Sequence, residues 1–415
     1  MKKKFICPNC YREVKCQDVQ FRCTEPFCDA KEADERYQRY LLSITNDTNN
    51  FDIQNDLLMG KVFSGKKGFW AKAHLTGGAM PFAAVCPECG SSSNTRVCPE
   101  CHCELPDNFD EVNTLVFGIL GVRGVSKSTY IAVLVNELKK RLAGSDLDAS
   151  FILAMDDDSI RYNKYYFNPI YNKRKTIGGT QVRQNRDAST FDFKKPLTFK
   201  LTIRGKTTNI VIYDIAGEDC LSSGSMKSAA RYLPHADGLI CIIDPLYLET
   251  FRNKVDPKIV EACSVISDEE ARAYEPETLF NNIKGIINSG GMINIPISIA
   301  VSKADLIQML PNAFPRGGRA QDRNSEIIVN RKFNRTECEE VSNEVSKFLE
   351  LHGGKNAVKF IGNHFANYSF STFSALGDQP QNVAGGSSYD GNVAEPHPIR
   401  IADSLYYLLH KNNVV

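Results

Sequence analysis

Apolar and polar positions divide the chain into two textures. From about residue 113 onward, short and nearly unbroken apolar runs alternate with longer segments whose apolar positions recur at helical spacing. NTLVFGILG (113–121), NIVIYDIAG (209–217), ADGLICIID (236–244), IPISIAVSKAD (295–305) and HFANYSFSTFSAL (364–376) contain the runs. Strands of this kind, separated by helices, are buried on both faces, so the pattern predicts a mostly parallel sheet with helices on either side. PLTFKLTIRG (196–205) differs, because Leu197, Phe199, Leu201 and Ile203 alternate with polar residues. It predicts an antiparallel edge strand, hairpinned to 209–214 through Gly-Lys-Thr. The helix after the first run reaches Leu142 and stops at Ala143-Gly144. Thr336 and Glu339 have capping-box spacing ahead of a stripe of Val341, Val345, Phe348 and Leu349 that ends at Gly353-Gly354. IADSLYYLLHK (401–411) reads as an amphipathic helix. Segment 145–195 carries a further strand (SFILAM) and a helix, 377–392 reads as a Gly/Ser/Asn-rich loop, and no solenoid-type repeat is visible.

Residues 1–105 lack this periodicity and are rich in cysteine instead; ELPDNFDEV (104–112) reads as a polar connector between the two textures. Ten of the 14 cysteines fall in the first 103 residues, mostly in pairs. The basic start MKKKFICPNC has no apolar stretch behind it, which speaks against a signal peptide and for a cytoplasmic chain. In that compartment paired cysteines read as metal sites, not disulfides. CPECGSSSNTRVCPEC (86–101) has C-x2-C-x8-C-x2-C spacing, and Cys86, Cys89, Cys98 and Cys101 are expected to close on one Zn²⁺. Cys7, Cys10, Cys23 and Cys28 are expected to hold a second, with Cys16 as a substitute ligand there and His102 or Cys103 in the other. The expected organisation is a zinc module over 1–34, a connecting segment over 35–84, a zinc ribbon over 85–106 and a large α/β domain over 107–415. Modules this small bury little core, so the metal is expected to be structural. A nucleic-acid role has mild support from MKKK and the basic, aromatic KVFSGKKGFWAK (61–72), for which a solvated loop is the plain alternative. The net charge of +1 gives no global basicity, and no apolar run is long enough to span a bilayer.

Candidate chemistry concentrates where the apolar strands end. GVRGVSKST (121–129) is close to G-x-x-x-x-G-K-[ST], with Gly121, Lys127 and Ser128 in register, Gly124 and Thr129 in the same loop, and Ser126 where the second glycine belongs. Set between a buried strand and a helix, such a loop turns backbone N–H groups toward phosphate, adds a lysine charge and offers a hydroxyl to Mg²⁺. In DIAG, Asp214 can support the Mg²⁺ shell and the Gly217 N–H can meet a γ-phosphate. In SKAD, Ser302 precedes Lys303, whose stem can cover a purine. Asp305 can accept from two N–H groups of guanine. Adenine lacks that donor pair and would leave the carboxylate unpaired, which disfavours an ATPase. SAL places Ser374 and Ala375 after the last strand.

The ordered set GVRGVSKS, DIAG, SKAD and SAL resembles the Ras-like P-loop GTPases of the translation-factor-related class, over about 113–410. The cysteine modules in front, the Lys-Ser-Thr-Tyr continuation and the SLYYLL helix are similar to a bacterial group of double-GTPases associated with predicted conflict or defence gene clusters. The resemblance implies that Lys127 and Ser128 bind phosphate and Mg²⁺, that Asp214 and Gly217 form the second switch, and that Lys303 and Asp305 read guanine with the Ala375 backbone. It also implies a first-switch threonine on Mg²⁺. Thr176, Thr180 and Thr190 are candidates, and the glycines flanking Thr180 in KTIGGTQ favour it.

The departures bear on rate. A serine at 126 costs about 1 kcal/mol if that position needs φ > 0. Glu218 stands where many relatives place a water-orienting glutamine, and acts as a base only with a raised pKa. Arg123 is either a built-in arginine finger or a solvated side chain. The expectation is a GTP-binding switch with slow hydrolysis and an unidentified protein effector. A non-hydrolysing scaffold and a zinc-ribbon binder of nucleic acid or protein are the rivals. His364 and Cys241 read as structural.

Overall fold

A computed structural model describes residues 4–45, 58–65, 82–143, 149–177, 195–378 and 392–415, apart from positions 216, 221–222, 265–266, 273, 288–289, 311, 316 and 330–331. A seven-stranded sheet organises everything after residue 112. Across it the strands run Ala149–Leu153, Leu197–Ile203, Lys206–Asp214, Asn113–Leu120, Gly238–Ile243, Ile297–Val301 and Tyr368–Thr372. The last five are mutually parallel; Leu197–Ile203 runs against them, and Ala149–Leu153 pairs antiparallel with it at the edge. Gly238–Ile243 and Ile297–Val301 are buried at every position, as strands covered on both faces must be.

Successive side chains of each strand enter opposite layers. Val116, Val211, Leu239, Ile299 and Phe370 pack under helices Pro276–Ile287, Arg335–Leu351 and Lys355–His364. Phe117, Ile210, Ile240 and Ala300 pack under Lys127–Ala143 and Asp403–Lys411. This is the α/β class with helices on both faces that the sequence predicts.

Two local expectations change within this domain. Leu197–Ile203 does hairpin onto Lys206–Asp214, but it is not the edge strand, because SFILAM supplies Ala149–Leu153 outside it. The helix over 335–351 is capped by Asn334, whose side-chain oxygen accepts from Glu337 N at 3.2 Å, not by Thr336. Asn is the better N-cap, and Glu339 instead pairs with Arg335 across one turn. The predicted helical stripe is buried, and Gly353 takes φ 102° just past the helix.

The 104–112 segment is not a free connector. Leu105 and Phe109 are buried against Phe5, Val14 and Leu41, and Asn209 donates to Asn108 at 2.9 Å. Strand pairing also joins the segments before it. Gln20–Arg22 takes Val62–Ser64 on one side and Arg96–Val97 on the other. Val62–Ser64 is therefore a strand, where a solvated loop was the plain alternative; 66–72 lies outside the described residues.

Candidate functional site

The phosphate loop connects Asn113–Leu120 to the helix Lys127–Ala143. Its backbone is left-handed at Gly124 (φ 79°) and again at Ser126 (φ 71°). The missing glycine thus falls at a position whose conformation glycine favours, and Ser126 holds it at a cost of about 1 kcal/mol. The reversal leads directly into the first helical turn, where unpaired N–H groups suit an anion. Lys127 is buried and folds back over the loop, donating to the carbonyls of Gly121 at 2.7 Å and Val122 at 3.0 Å. Thr129 follows in the same turn, half-buried.

Parallel register sets Ile119 beside Asp214, so the two strand ends finish level. The Ser128 hydroxyl donates to Asp214 Oδ2 at 2.8 Å. Burial raises the Asp214 pKa, against the opposing pull of Lys127, Ser128 and Tyr166. Asp214 Oδ1 is buried without a hydrogen-bond partner. An orphaned carboxylate oxygen beside a serine hydroxyl and a lysine is a donor set that fits Mg²⁺ and phosphate. A Cβ at Gly217 would lie 2.2 Å from Arg123 N and 2.4 Å from Val122 C, so only glycine lets this turn close on the 121–128 loop.

Three more strand ends lie along the same edge of the sheet. Ser302 is buried, with its N–H donated to Ile243 O at 2.9 Å, and Ala304 N donates to Phe373 O at 3.0 Å. Lys303 is left-handed, with φ 56° and ψ 44°. Its ammonium bonds the buried Asp244 and, at 2.8 Å, the Cys263 carbonyl. Asp305 is half-buried, with no hydrogen-bond partner among the described residues, so its carboxylate is available for two N–H donors. Ser374 is buried and accepts from Gly377 N at 2.9 Å, which shapes the turn carrying Ala375.

The positions expected to set hydrolysis are less fully placed. Arg123 is exposed, and its carbonyl accepts from the Tyr247 hydroxyl. Glu218 lies in the turn Gly217–Cys220, with its side chain outside the described residues. Thr180 and Thr190 also lie outside them; Thr176 is described and half-buried. Sequence reasoning missed Tyr166, whose hydroxyl donates to Asp214 Oδ2 at 3.4 Å from the wide helical turn Asn163–Asn172. It also missed Asp244 and Tyr247. The signal was an acidic residue ending an apolar strand, the same cue that marked Asp214.

All eight predicted cysteine ligands come together, but in a different grouping. Cys7 and Cys10 join Cys98 and Cys101, while Cys23 and Cys28 join Cys86 and Cys89. Contiguous pairing is overturned because Gln20–Arg22 runs antiparallel beside Arg96–Val97, Gln20 opposite Val97. That pairing faces each knuckle with one from the other segment. Within each group the ligand atoms lie within 4.8 Å of one another, with contacts of 3.8 Å for Cys7–Cys101 and for Cys10–Cys98, and 3.7 Å for Cys23–Cys89. Tetrahedral Zn²⁺ with Zn–S near 2.3 Å needs sulfurs about 3.8 Å apart, so both groups fit zinc. The supposed substitutes are not ligands. Cys16 and Cys103 are buried in the apolar core of this unit, and His102 Nδ1 contacts Asp34 at 2.8 Å. His364 bonds the Phe360 carbonyl and Cys241 is a buried strand residue, both as expected.

The class that fold and site define is an α/β P-loop domain, joined to a unit with two four-cysteine clusters. No protein-family model matches the chain. Among characterised sequences it is 26% identical over 295 residues to the "Putative ESX-1 scaffolding and assembly protein SaeC" of Mycolicibacterium smegmatis, across 69% of this chain and 72% of that one. Similar solved structures include Era of Aquifex aeolicus bound to GDP and AlF4⁻ (14% identity, TM-score 0.26, 65% of this chain and 53% of that one). Others are a bacterial selenocysteine-specific elongation factor (15%, 0.25, 65% and 27%) and the GTPase-like domain of S. cerevisiae Ski7 bound to GTP (15%, 0.29, 73% and 51%). The chain thus spans about half or less of each solved structure. The fold assignment rests on strand order and register, not on these superpositions. Among the described residues no helix is long and apolar enough to cross a membrane.

Proposed function

We propose that this protein is a guanine-nucleotide-binding switch, with Mg²⁺ at Ser128 and Asp214 and two structural Zn²⁺ ions. The observation that carries the reading is the phosphate-loop constellation. Lys127, the Ser128–Asp214 pair and the Gly217 contact sit on one edge of the sheet with Asp305, the carboxylate suited to guanine. Hydrolysis of GTP to GDP and phosphate is slow in this reading. Ser126 strains the loop, and Glu218 brings a carboxylate where a neutral water-orienting group works best. The switch segments order around γ-phosphate and Mg²⁺ and relax when it is lost, passing the state to a protein partner. The described scaffolding role of the M. smegmatis relative supports a protein partner. The finer grouping with bacterial double-GTPases, and a place in a conflict or defence system, rests on the cysteine modules, the Lys-Ser-Thr-Tyr continuation and the terminal helix.

Calorimetric titration of GTP, GDP and ATP into zinc-loaded protein with Mg²⁺ tests the reading. Saturable binding of GTP and GDP, much weaker for ATP and weakened about a hundredfold in Lys127→Ala, is expected. A flat titration with every nucleotide would overturn it. A scaffold that binds but does not hydrolyse is the second reading, favoured by Glu218 and by the relative's description; release of phosphate from GTP in single-turnover assays separates the two.

A further inference from the structure

The strand that delivers Asp214 also touches the cysteine unit, one residue earlier. Neighbouring residues of a strand point to opposite faces. Asp214 turns to the phosphate loop, while Tyr213 turns the other way and is buried. The Tyr213 hydroxyl donates to the carbonyl of Pro8, the residue after Cys7 in the Cys7–Cys10 knuckle. Around that bond the packing is aromatic on both sides. Tyr213 stacks on Tyr232 at 4.5 Å and 14°. Tyr11, the residue after Cys10, lies 6.1 Å from the Tyr213 ring and stacks on His235 at 5.7 Å and 6°. A second connection runs beside it. Helix Glu35–Thr45 packs against Ser223–Ala229, the helix that follows Gly217, and Tyr40 of the former donates to Asn9 in the same knuckle at 3.3 Å.

We propose that Tyr213 is a positioning residue, which anchors the Asp214 end of its strand to the Cys7–Cys10 knuckle and so couples metal in the Cys7/Cys10/Cys98/Cys101 cluster to Mg²⁺–nucleotide at the phosphate loop. The inference rests on the nucleotide reading above. A knuckle closed on metal presents the Pro8 carbonyl at one fixed place; an open knuckle does not, and the strand end loses its anchor. Linkage makes the effect reciprocal: if metal favours nucleotide, nucleotide must hold the metal by the same factor. The other cluster, Cys23/Cys28/Cys86/Cys89, packs among the described residues against Phe21, Phe63, Ala30 and Ala84, all within the cysteine unit. The coupling therefore belongs to one zinc equivalent of two.

The test measures zinc release from the full chain to a chromogenic chelator, with and without saturating Mg²⁺–GDP. One of two equivalents is expected to leave about three- to tenfold more slowly with nucleotide bound, the size of one buried hydrogen bond. Tyr213→Phe is expected to retain both equivalents and lose the slowing. A reciprocal measurement on unmodified protein, Mg²⁺–GDP affinity against free Zn²⁺ concentration, must show GDP binding tighten as the cluster fills and stands even if the variant folds poorly. Bound nucleotide with unchanged release of both equivalents, or slowing that survives Tyr213→Phe, would overturn this inference alone. A flat calorimetric titration of GDP would overturn the nucleotide reading and this inference with it.

Discussion

At the phosphate loop, one short run of sequence carries nearly all the chemistry, whereas each cysteine cluster is assembled from knuckles far apart in the chain. Gly121 to Ser128 form one compact strand-to-helix loop because a buried strand, left-handed turns and a helix start follow one another there. Cys7 meets Cys101 across 94 residues, and Cys23 meets Cys89 across 66. The first kind of site is a property of local backbone conformation. The second depends on which strands pair. A motif therefore marked the first set of residues within one short window. Spacing picked out the eight cysteines that come together in the second and grouped them wrongly.

The sharpest way to break that comparison is the grouping itself. Cys7→Ser with Cys98→Ser should leave one zinc equivalent, since both substitutions fall in one cluster. Cys7→Ser with Cys23→Ser should leave none. Metal analysis of the purified proteins would give the reverse pattern if contiguous segments closed on the metal. A structural zinc contributes on the order of 10 kcal/mol, so each lost cluster should also unfold the segments it joins. At the phosphate loop, Lys127→Ala removes a buried charge whose hydrogen bonds would pass from loop carbonyls to phosphate. GDP affinity should fall roughly a hundredfold by calorimetry, with both zinc equivalents retained. If zinc is lost as well, the two regions are not separable units.

Asp305→Asn replaces the acceptor for the guanine edge. Discrimination of GTP over ATP should shrink by about ten- to a hundredfold, read as a ratio of dissociation constants. An unchanged ratio would move base reading elsewhere on the sheet edge. The smallest effect tests the local character of the loop. Ser126→Gly should relieve the left-handed strain by about 1 kcal/mol and raise the thermal midpoint by roughly 2 °C. Tighter GDP binding should accompany it. A lower midpoint would show that the Ser126 side chain contributes more than its backbone costs.

How much of the site was legible follows the same division. Asp214, Lys303 and Asp305 could be read because each ends an apolar run, and parallel register levels those ends on one edge. Tyr166 could not, because nothing local marks a residue on a wide helical turn as a partner of Asp214. Asp244 was hidden inside a strand reading, and its bond to Lys303 appears only when two strand ends lie side by side. The cap of the helix over 335–351 moved from Thr336 to Asn334 because two good caps stood close together, and the chain's approach to the helix chose between them.

The sequence by itself determined the buried strands, the helix after the 121–128 loop, the four strand-end motifs and the eight cysteines that form the two clusters. Hydrophobic period, turn chemistry and ligand spacing are short-range properties, written in consecutive residues. Only the tertiary structure decided which knuckle faces which, that SFILAM rather than 197–203 forms the sheet edge, that Leu105 and Phe109 bury the supposed connector, and that Tyr213 reaches Pro8. Each of these depends on contacts between segments tens of residues apart. Such contacts are selected by whichever pairing buries the most apolar surface and satisfies the most backbone groups, a comparison no local window contains.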